Sequence, residues 1–310
     1  MEMPNSNRLS PDSSRATLFR ARATRAGKQA LHEVLWRSLG RRQYARLGRF
    51  LWMQSRLDIV NSPASNGELT VVAAFARSVA SARKVVVCDV GANVGDWSND
   101  VYEQLWGARV GAKDGGVEMH LFEPSPASYA MLEVRLPSWS ASARVFISRE
   151  AIAERQGEAT FTLFGPTDGI NTLMPLPSDA THTPIAVQLN TLDAYAASHS
   201  IERIDFLKID TEGNDFNVLL GAAELLRAQR IGLLQFEYNH RWIAFRRYLK
   251  DAFEALLAAG YSVGKVTPKG IVTFRRWHHE LESFREGNYL AWPGGTFPID
   301  LPRLDWWVDS

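Results

Sequence analysis

Four predicted strands of this chain each end on an acidic side chain. Residues 85–88 run into Asp89, 117–122 into Glu123, 204–209 into Asp210 with Glu212 close behind, and 231–236 into Glu237. Packing does not require acids there, because exposed strand ends accept most polar residues. Their recurrence at one kind of position points to a common rim that binds a ligand. The first of them is the most informative. Asp89 is followed at once by Gly91-Ala92-Asn93-Val94-Gly95. Glycine permits a tight turn and lets the backbone approach a ligand where a Cβ would clash. Trp97, Val101 and Leu105 then recur at four-residue spacing, the mark of one helix face. A strand, a glycine turn and a helix N-terminus together present a carboxylate and free N–H groups. Dinucleotide folds use that arrangement, with GxGxxG, for a pyrophosphate. Here the spacing is GxNxG with an acid two residues ahead. It would repel a diphosphate and suit a cationic or amino-bearing ligand. Asp89, Gly91, Ala92, Asn93 and Gly95 are the ligand-contacting residues this stretch predicts. A tight turn without a ligand is the plain alternative.

The elements that must hold these acids follow from the pattern. β-Branched runs such as 85–87 suit buried strands. Helices are predicted over 69–81, after the glycine loop, over 128–136, over 215–227 and over 243–259, the last closed by Gly260. Strands are predicted at 117–122, 145–148, 159–164, 185–189, 204–209 and 231–236, with a terminal hairpin of 261–266 and 271–274 around Pro268-Lys269-Gly270. Residues 165–179 carry three prolines and little periodicity, so they read as a loop. Alternation of strands and helices implies an α/β fold, a parallel sheet with helices on both faces. Ligands then bind beyond the carboxyl ends of the strands, at the topological switch point.

Composition bounds the answer further. Of 310 residues, 45% are hydrophobic and 22% charged, values ordinary for a soluble globular chain long enough for a sizeable core. The single cysteine, Cys88, excludes an intrachain disulfide and any cysteine-based metal site, and reads as a small core residue. No apolar run approaches the ~20 residues that span a bilayer, and no secretory segment follows the initiator, so a cytoplasmic location is the expectation. The net charge of +1 hides an asymmetry, because residues 1–60 hold 12 Lys and Arg against four acids. Residues 1–66 are expected to form a basic, helical arm, disordered over its first ~15 residues and broken at Gly40 and Gly48 into two or three short helices. The arm is read as a solvated segment folded onto its own domain. Residues 67–295 form the main domain and 296–310 an aromatic tail with Trp306-Trp307. No internal repeat is found.

The chain resembles the FkbM-type family of S-adenosylmethionine-dependent methyltransferases. The matching pieces, in order, are DVGANVGDWS at 89–98, FEPSPASY at 122–129, NTLDAY at 190–195, LKIDTEGNDFNVLLGA at 207–222, QFEYN at 235–239 and NYLAWP at 288–293. The DxGANxG piece is shared by many methyltransferases, whereas the KIDxEG block between NTLD and NYLA is much more specific. Asn214 and Asp215 follow that block where the family often has a hydrophobic residue and an acid. The resemblance implies a Rossmann-like class I methyltransferase sheet, mostly parallel with a terminal antiparallel strand. It implies S-adenosyl-L-methionine as cofactor, and O-methylation of a sugar, glycolipid or polyketide hydroxyl. Asp89 would then suit the cofactor's ammonium group, and Glu123 its ribose hydroxyls. Glu150, Ala151 and Ile152 would lie along the adenine, and Asp210 near the sulfonium.

Methyl transfer is an in-line displacement, so alignment of the acceptor does much of the work. A hydroxyl also needs a base or a metal to remove its proton. His240 is the first candidate base, with Asp210 facing the sulfonium and Glu237 orienting the acceptor or His240. A surface-loop histidine is the plain alternative for His240. Asp210 with Glu237 or Asn239 has the oxygen ligands for a hard divalent ion. Cofactor positioning and loop hydrogen bonding is the preferred reading of those residues. The 165–179 loop, with Asp168 and Asn171, is expected to cover the acceptor. A small-molecule or glycan acceptor is the expected partner, with self-association left open. Two rivals stand. A nicotinamide oxidoreductase is disfavoured by the missing third glycine and by Asp89. A nucleic-acid or membrane adaptor acting through the basic arm should show one arginine face and an apolar opposite face. The arginines instead look spread around the turns, leaving peripheral membrane contact as a secondary expectation and nucleic acid disfavoured.

Overall fold

The computed structural model describes residues 11–58, 62–82, 84–108, 116–140, 143–174 and 182–306. The chain divides into two compact units, residues 1–59 and 60–310. The first unit is the helix α1 (Pro11–Ser55), broken at Gly40, whose φ of 67° and ψ of 163° are non-helical. Gly48 stays helical, so the arm has one interruption where the sequence suggested two. The helix begins at Pro11, inside the stretch expected to be disordered; residues 1–10 lie outside the described residues.

The second unit opens with α2 (Pro63–Asn66), α3 (Glu68–Ser78), β1 (Val85–Val90), α4 (Asp96–Ala108), β2 (Val117–Phe122), α5 (Pro126–Ser140) and β3 (Arg144–Ser148). It continues with β4 (Ala151–Ile152), β5 (Gly157–Leu163), β6 (Thr183–Asn190), α6 (Leu192–Ser198), β7 (Ile204–Ile209), α7 (Asp215–Leu220), α8 (Ala223–Arg227) and β8 (Ile231–Tyr238). After a 3-10 turn at His240–Ile243 come α9 (Leu249–Ala258), β9 (Tyr261–Thr267), β10 (Gly270–Phe274), a second turn at His279–Leu281, β11 (Gly287–Pro293) and β12 (Arg303–Asp305).

Nine strands form one sheet in the order β12-β10-β9-β11-β8-β7-β1-β2-β3. The run from β8 to β3 is parallel throughout. β11 runs antiparallel to both neighbours, β8 and β9, so reversed strands begin directly beside the parallel run and continue with β10 and β12 beyond β9. β9 and β10 pair as the predicted hairpin, and β12 adds a further parallel edge. Consecutive residues of β1 pack on opposite faces. Val86, Cys88 and Val90 belong to one core, with Leu219, Leu226, Phe253 and Trp306. Val85 and Val87 belong to the other, with Val72, Phe75, Val101 and Leu132. Burial pushes the Cys88 thiol far up, so it stays protonated in the core. Trp306 is buried against the Phe274 ring, whereas Trp307 lies outside the described residues.

Between β3 and β7 the chain builds a second, three-stranded sheet in the order β4-β6-β5. Its main pair is antiparallel, from Gly157↔Leu189 to Leu163↔Thr183. Two predicted helices are shorter than the pattern suggested. The 215–227 helix stops at Gly221, where a Cβ would meet the Ala153 carbonyl oxygen at 2.0 Å. The 243–259 helix starts only at Leu249, where Asp251 Oδ2 accepts from the Tyr248 N–H at 2.9 Å.

Candidate active site

The sheet order reverses around β1, with β2 on one side and β7 on the other. A cleft opens at their carboxyl ends, about 520 Å³ of space that is in part open to solvent. Its wall includes Gly91, Asn93, Glu123, Ala151 and Asp210 from the predicted set, together with Glu150, Ile152 and Phe161.

The glycine loop is fixed by close approach. Gly91 has φ 88°, and a Cβ there would meet the Asp210 carbonyl oxygen at 1.9 Å. The loop therefore lies flat against the end of β7. Asn93 takes φ 47°, a left-handed conformation that asparagine tolerates better than most residues. Its N–H donates to Glu123 Oε2 at 2.8 Å, and its Oδ1 accepts from Ser128 Oγ at 2.8 Å. Glu123 Oε1 accepts from the Ser125 N–H at 2.7 Å. Two of the roughly four acceptor directions of this carboxylate are thus used, and two remain. Burial outweighs the two N–H donors and pushes the Glu123 carboxyl up to about 7. A buried carboxylate with spare acceptor capacity, beside the apolar surfaces of Phe122, Ala151 and Ile152, matches a ribose joined to a flat base.

Three of the predicted contact residues stand behind the cavity. Asp89 projects from the opposite face of β1 to Val90, and its Oδ2 accepts from Ser98 Oγ of α4 at 2.5 Å. Burial, offset in part by Ser98 and Lys208, pushes its carboxyl up to about 6. Ala92 is buried in the core against α4 and α5. A Cβ on Gly95 would strike Leu132 and Trp139 at 2.7 and 2.8 Å, so this glycine serves helix packing. Asp89, Ala92 and Gly95 therefore shape the loop, while Gly91 and Asn93 face the ligand space.

Beyond the loop lies an acidic cluster. Asp210, Glu212 and Glu237 each place a carboxylate oxygen within 4.8 Å of the others. Asp210 Oδ2 accepts from Lys208 Nζ at 2.8 Å, and Glu237 Oε2 from Asn239 Nδ2 at 2.7 Å. Glu212 pairs with the Arg241 guanidinium. Lys208 and Arg241 bring positive charge to two of these acids. Burial and the Asp210 charge outweigh Arg241 and hold the Glu212 carboxyl up at about 8. The same causes hold the Glu237 carboxyl well above its ordinary range. His240 does not join them. It is solvent-exposed at the start of the 3-10 turn, and Asn239 reaches the acids in its place.

Glu212 is the site residue that the sequence reading left outside its catalytic set. It lines the cavity and takes φ 55°, a strained conformation of the kind that accumulates at functional sites. The signal was present, because Glu212 is the acid of the KIDxEG block. The small sheet and the segment after it close the cavity's far side. Phe161, Asp168, Gly169 and Asn171 line it, so the part of the 165–179 loop within the described residues does border the ligand space. Thr172 Oγ1 donates to the Glu212 carbonyl at 2.8 Å, tying this cover to the acids.

These carboxyls give the ligand-free protein a definite pH response. Folded Glu212 at about 8 and Glu123 at about 7 both exceed the ordinary 4.5. Between those limits the folded state holds protons that the unfolded chain has released, so stability falls as pH rises. Each group contributes at most about 1.4 kcal/mol per pH unit. Melting temperatures at pH 5.5 and 8.5 check this: the alkaline value should be lower, and the reverse order would contradict the burial of these charges.

The methyltransferase FkbM domain matches the chain over residues 89–263. The chain belongs to the FkbM methyltransferase family. Its segment of match begins at Asp89 and takes in the glycine loop, Glu123, the small sheet and the acidic cluster. No curated protein matches it in sequence. Among solved structures it is similar to the METTL16 methyltransferase domain, at 11% identity and a TM-score of 0.38, over 73% of this chain and 66% of that one. It is similar to an S-adenosylmethionine-dependent methyltransferase from Agrobacterium tumefaciens, at 9% identity and 0.39, over 74% and 62%. For the bifunctional kinase-methyltransferase WbdD the values are 10%, 0.39, 76% and 41%. The chain thus spans less than two thirds of the length of each of these structures.

Proposed function

We propose that this FkbM-family chain is an S-adenosylmethionine-dependent methyltransferase whose acceptor atom is a hydroxyl oxygen, on a sugar, glycolipid or polyketide-type metabolite. One observation carries the reading. The cavity has two chemically distinct ends, a buried carboxylate beside an apolar wall at Glu123 and an acidic cluster whose Asp210 and Glu212 line it with Glu237 close behind. When bound, S-adenosylmethionine supplies an electrophilic methyl group. Glu123 Oε1 and Oε2 would accept the ribose hydroxyls with their spare lone pairs. Ala151 and Ile152 would bear on the adenine, and Asp168, Gly169 and Asn171 would keep water from the far side. Asp210, held by Lys208, would set the charge near the reacting centre. A Glu212 Oε would take the acceptor proton, because a carboxyl poised near neutral pH is suited to that transfer. Glu237 would orient Glu212 through Asn239. His240, exposed on its turn, keeps a role only if the acceptor itself draws it inward.

Incubation of the protein with methyl-labelled donor and fractionated extract of its source tests the acceptor class. The expected label sits in an alkali-stable methyl ether on a hydroxyl-bearing metabolite. Label confined to nitrogen, or to nucleic acid, would overturn the hydroxyl reading.

A further inference from the structure

The arm gains two distinct faces once its break is placed at Gly40. Read as one continuous helix, its arginines are scattered. The non-helical Gly40 ends one segment and starts another, so the turn phase is counted afresh from Arg41. In residues 41–55, Arg42, Arg46 and Arg49 follow at i, i+4 and i+7 and share a face. Tyr44, Leu47 and Leu51 follow at i, i+3 and i+7 on another, flanked by Phe50. The three arginines are exposed, and Phe50 and Leu51 are each 56% exposed. In the segment before Gly40, Leu31 and Val34 also stand in solvent. Tyr44 closes the elbow, with its hydroxyl 3.0 Å from His32 Nδ1 and its ring edge-on to Trp36.

We propose that this arm docks on the surface of an anionic lipid bilayer, with residues 41–55 lying in the interface plane. Large apolar side chains on one face and arginines on the other are what such a surface takes up, the first among acyl chains and the second at lipid phosphates. Residues 25–55 carry seven Lys and Arg against the single acid Glu33. A second copy of the arm would bring the same positive charge and repel it. Nucleic acid would accept the arginines and leave Phe50 and Leu51 in water. Among the described residues no helix is long and apolar enough to cross a membrane, in keeping with an arm that lies on one. The proposal stands apart from the reading of the cavity.

Co-sedimentation of the full chain with phosphatidylcholine vesicles, with and without phosphatidylserine, tests it. Partition should rise about tenfold or more with phosphatidylserine, and the gain should vanish in high salt. Reversing the face with Arg42→Glu, Arg46→Glu and Arg49→Glu should abolish that preference. The milder set Arg42→Gln, Arg46→Gln and Arg49→Gln preserves helix propensity and should do the same. Phe50→Ser with Leu51→Ser should cut binding about tenfold at unchanged circular dichroism. Equal partition on both vesicles would overturn the proposal, as would arginine variants that bind like the parent. So would a dimer in light scattering that Phe50→Ser with Leu51→Ser dissolves while vesicle binding is absent, which would make the face a contact between copies.

Discussion

Glu212→Gln lowers turnover by roughly 10²–10⁴-fold and leaves cofactor affinity nearly unchanged, the pattern of a lost proton acceptor. The substitution keeps the side chain's length and its place at the left-handed turn, while removing the group that can accept a proton. The pH profile separates this role from simple positioning. Burial and Asp210 hold the Glu212 carboxyl at about 8, so the active, ionised form accumulates as pH rises through that value. The parent's turnover should climb on that limb, and the residual rate of Glu212→Gln should be flat across it. Steady-state kinetics between pH 6 and 9 give both numbers. A variant with the parent's rate and profile would move the proton to another group. His240→Ala is then the next substitution, expected here to be almost without effect.

Lys208→Met destabilises the fold by about 3–5 kcal/mol, the usual consequence of removing one partner from a buried ion pair. Lys208 is 3% exposed at the end of β7. Its Nζ lies 3.1 Å from Glu68 Oε1 and 2.8 Å from Asp210 Oδ2. Burial alone would favour the neutral amine. Asp210 and Glu68 overcome it and hold the ammonium charged well above its ordinary range. Gln235 Nε2 also donates to Glu68 at 2.6 Å and to Asn288 at 3.1 Å, so three strands and α3 share one network. Methionine fills the volume and strands the Glu68 carboxylate. The double variant Lys208→Met with Glu68→Gln removes that stranded charge and should recover part of the loss. Urea unfolding of Lys208→Met, Glu68→Gln and the double variant measures it. Additive losses would show that the two residues do not act as a pair.

The strands and the rim were legible in the sequence because runs such as 85–88 are apolar and β-branched, and 204–209 keeps Ile204, Phe206, Leu207 and Ile209 around its two charges. The acids that end them stand where the alternation of β and α places the ligand side of a parallel sheet. What the rim reading lacked was the direction of each side chain. A strand turns successive residues to opposite faces. If Val90 lies on the cavity wall, Asp89 must point the other way, and it does, into Ser98. Gly95 carried the same ambiguity, since a glycine for ligand approach and a glycine for packing under Trp139 look alike in one dimension.

Long-range pairing was the other blind spot. The two strands 159–164 and 185–189 were read correctly, but nothing local says that they leave the main sheet and pair with each other and with Ala151-Ile152. Glu212 shows the opposite case. It sits in the most specific block of the chain, and only the surrounding burial and the nearness of Asp210 and Glu237 reveal what it can do. The arm misled for a simpler reason. Gly48 can stay in a helix at a cost of about 1 kcal/mol, whereas Gly40 takes a conformation that resets the phase of every later residue.

Calorimetric titration with S-adenosylhomocysteine and with NAD, on the parent and on Glu123→Ala, tests the central claim most directly. Both ligands carry an adenosine whose ribose Glu123 could hold, so the comparison isolates the part of the cavity beyond it. The account predicts binding of S-adenosylhomocysteine, none of NAD, and a loss of roughly 1–3 kcal/mol in Glu123→Ala, the cost of hydroxyls left without their acceptor. Tight binding of NAD with none of S-adenosylhomocysteine would contradict it.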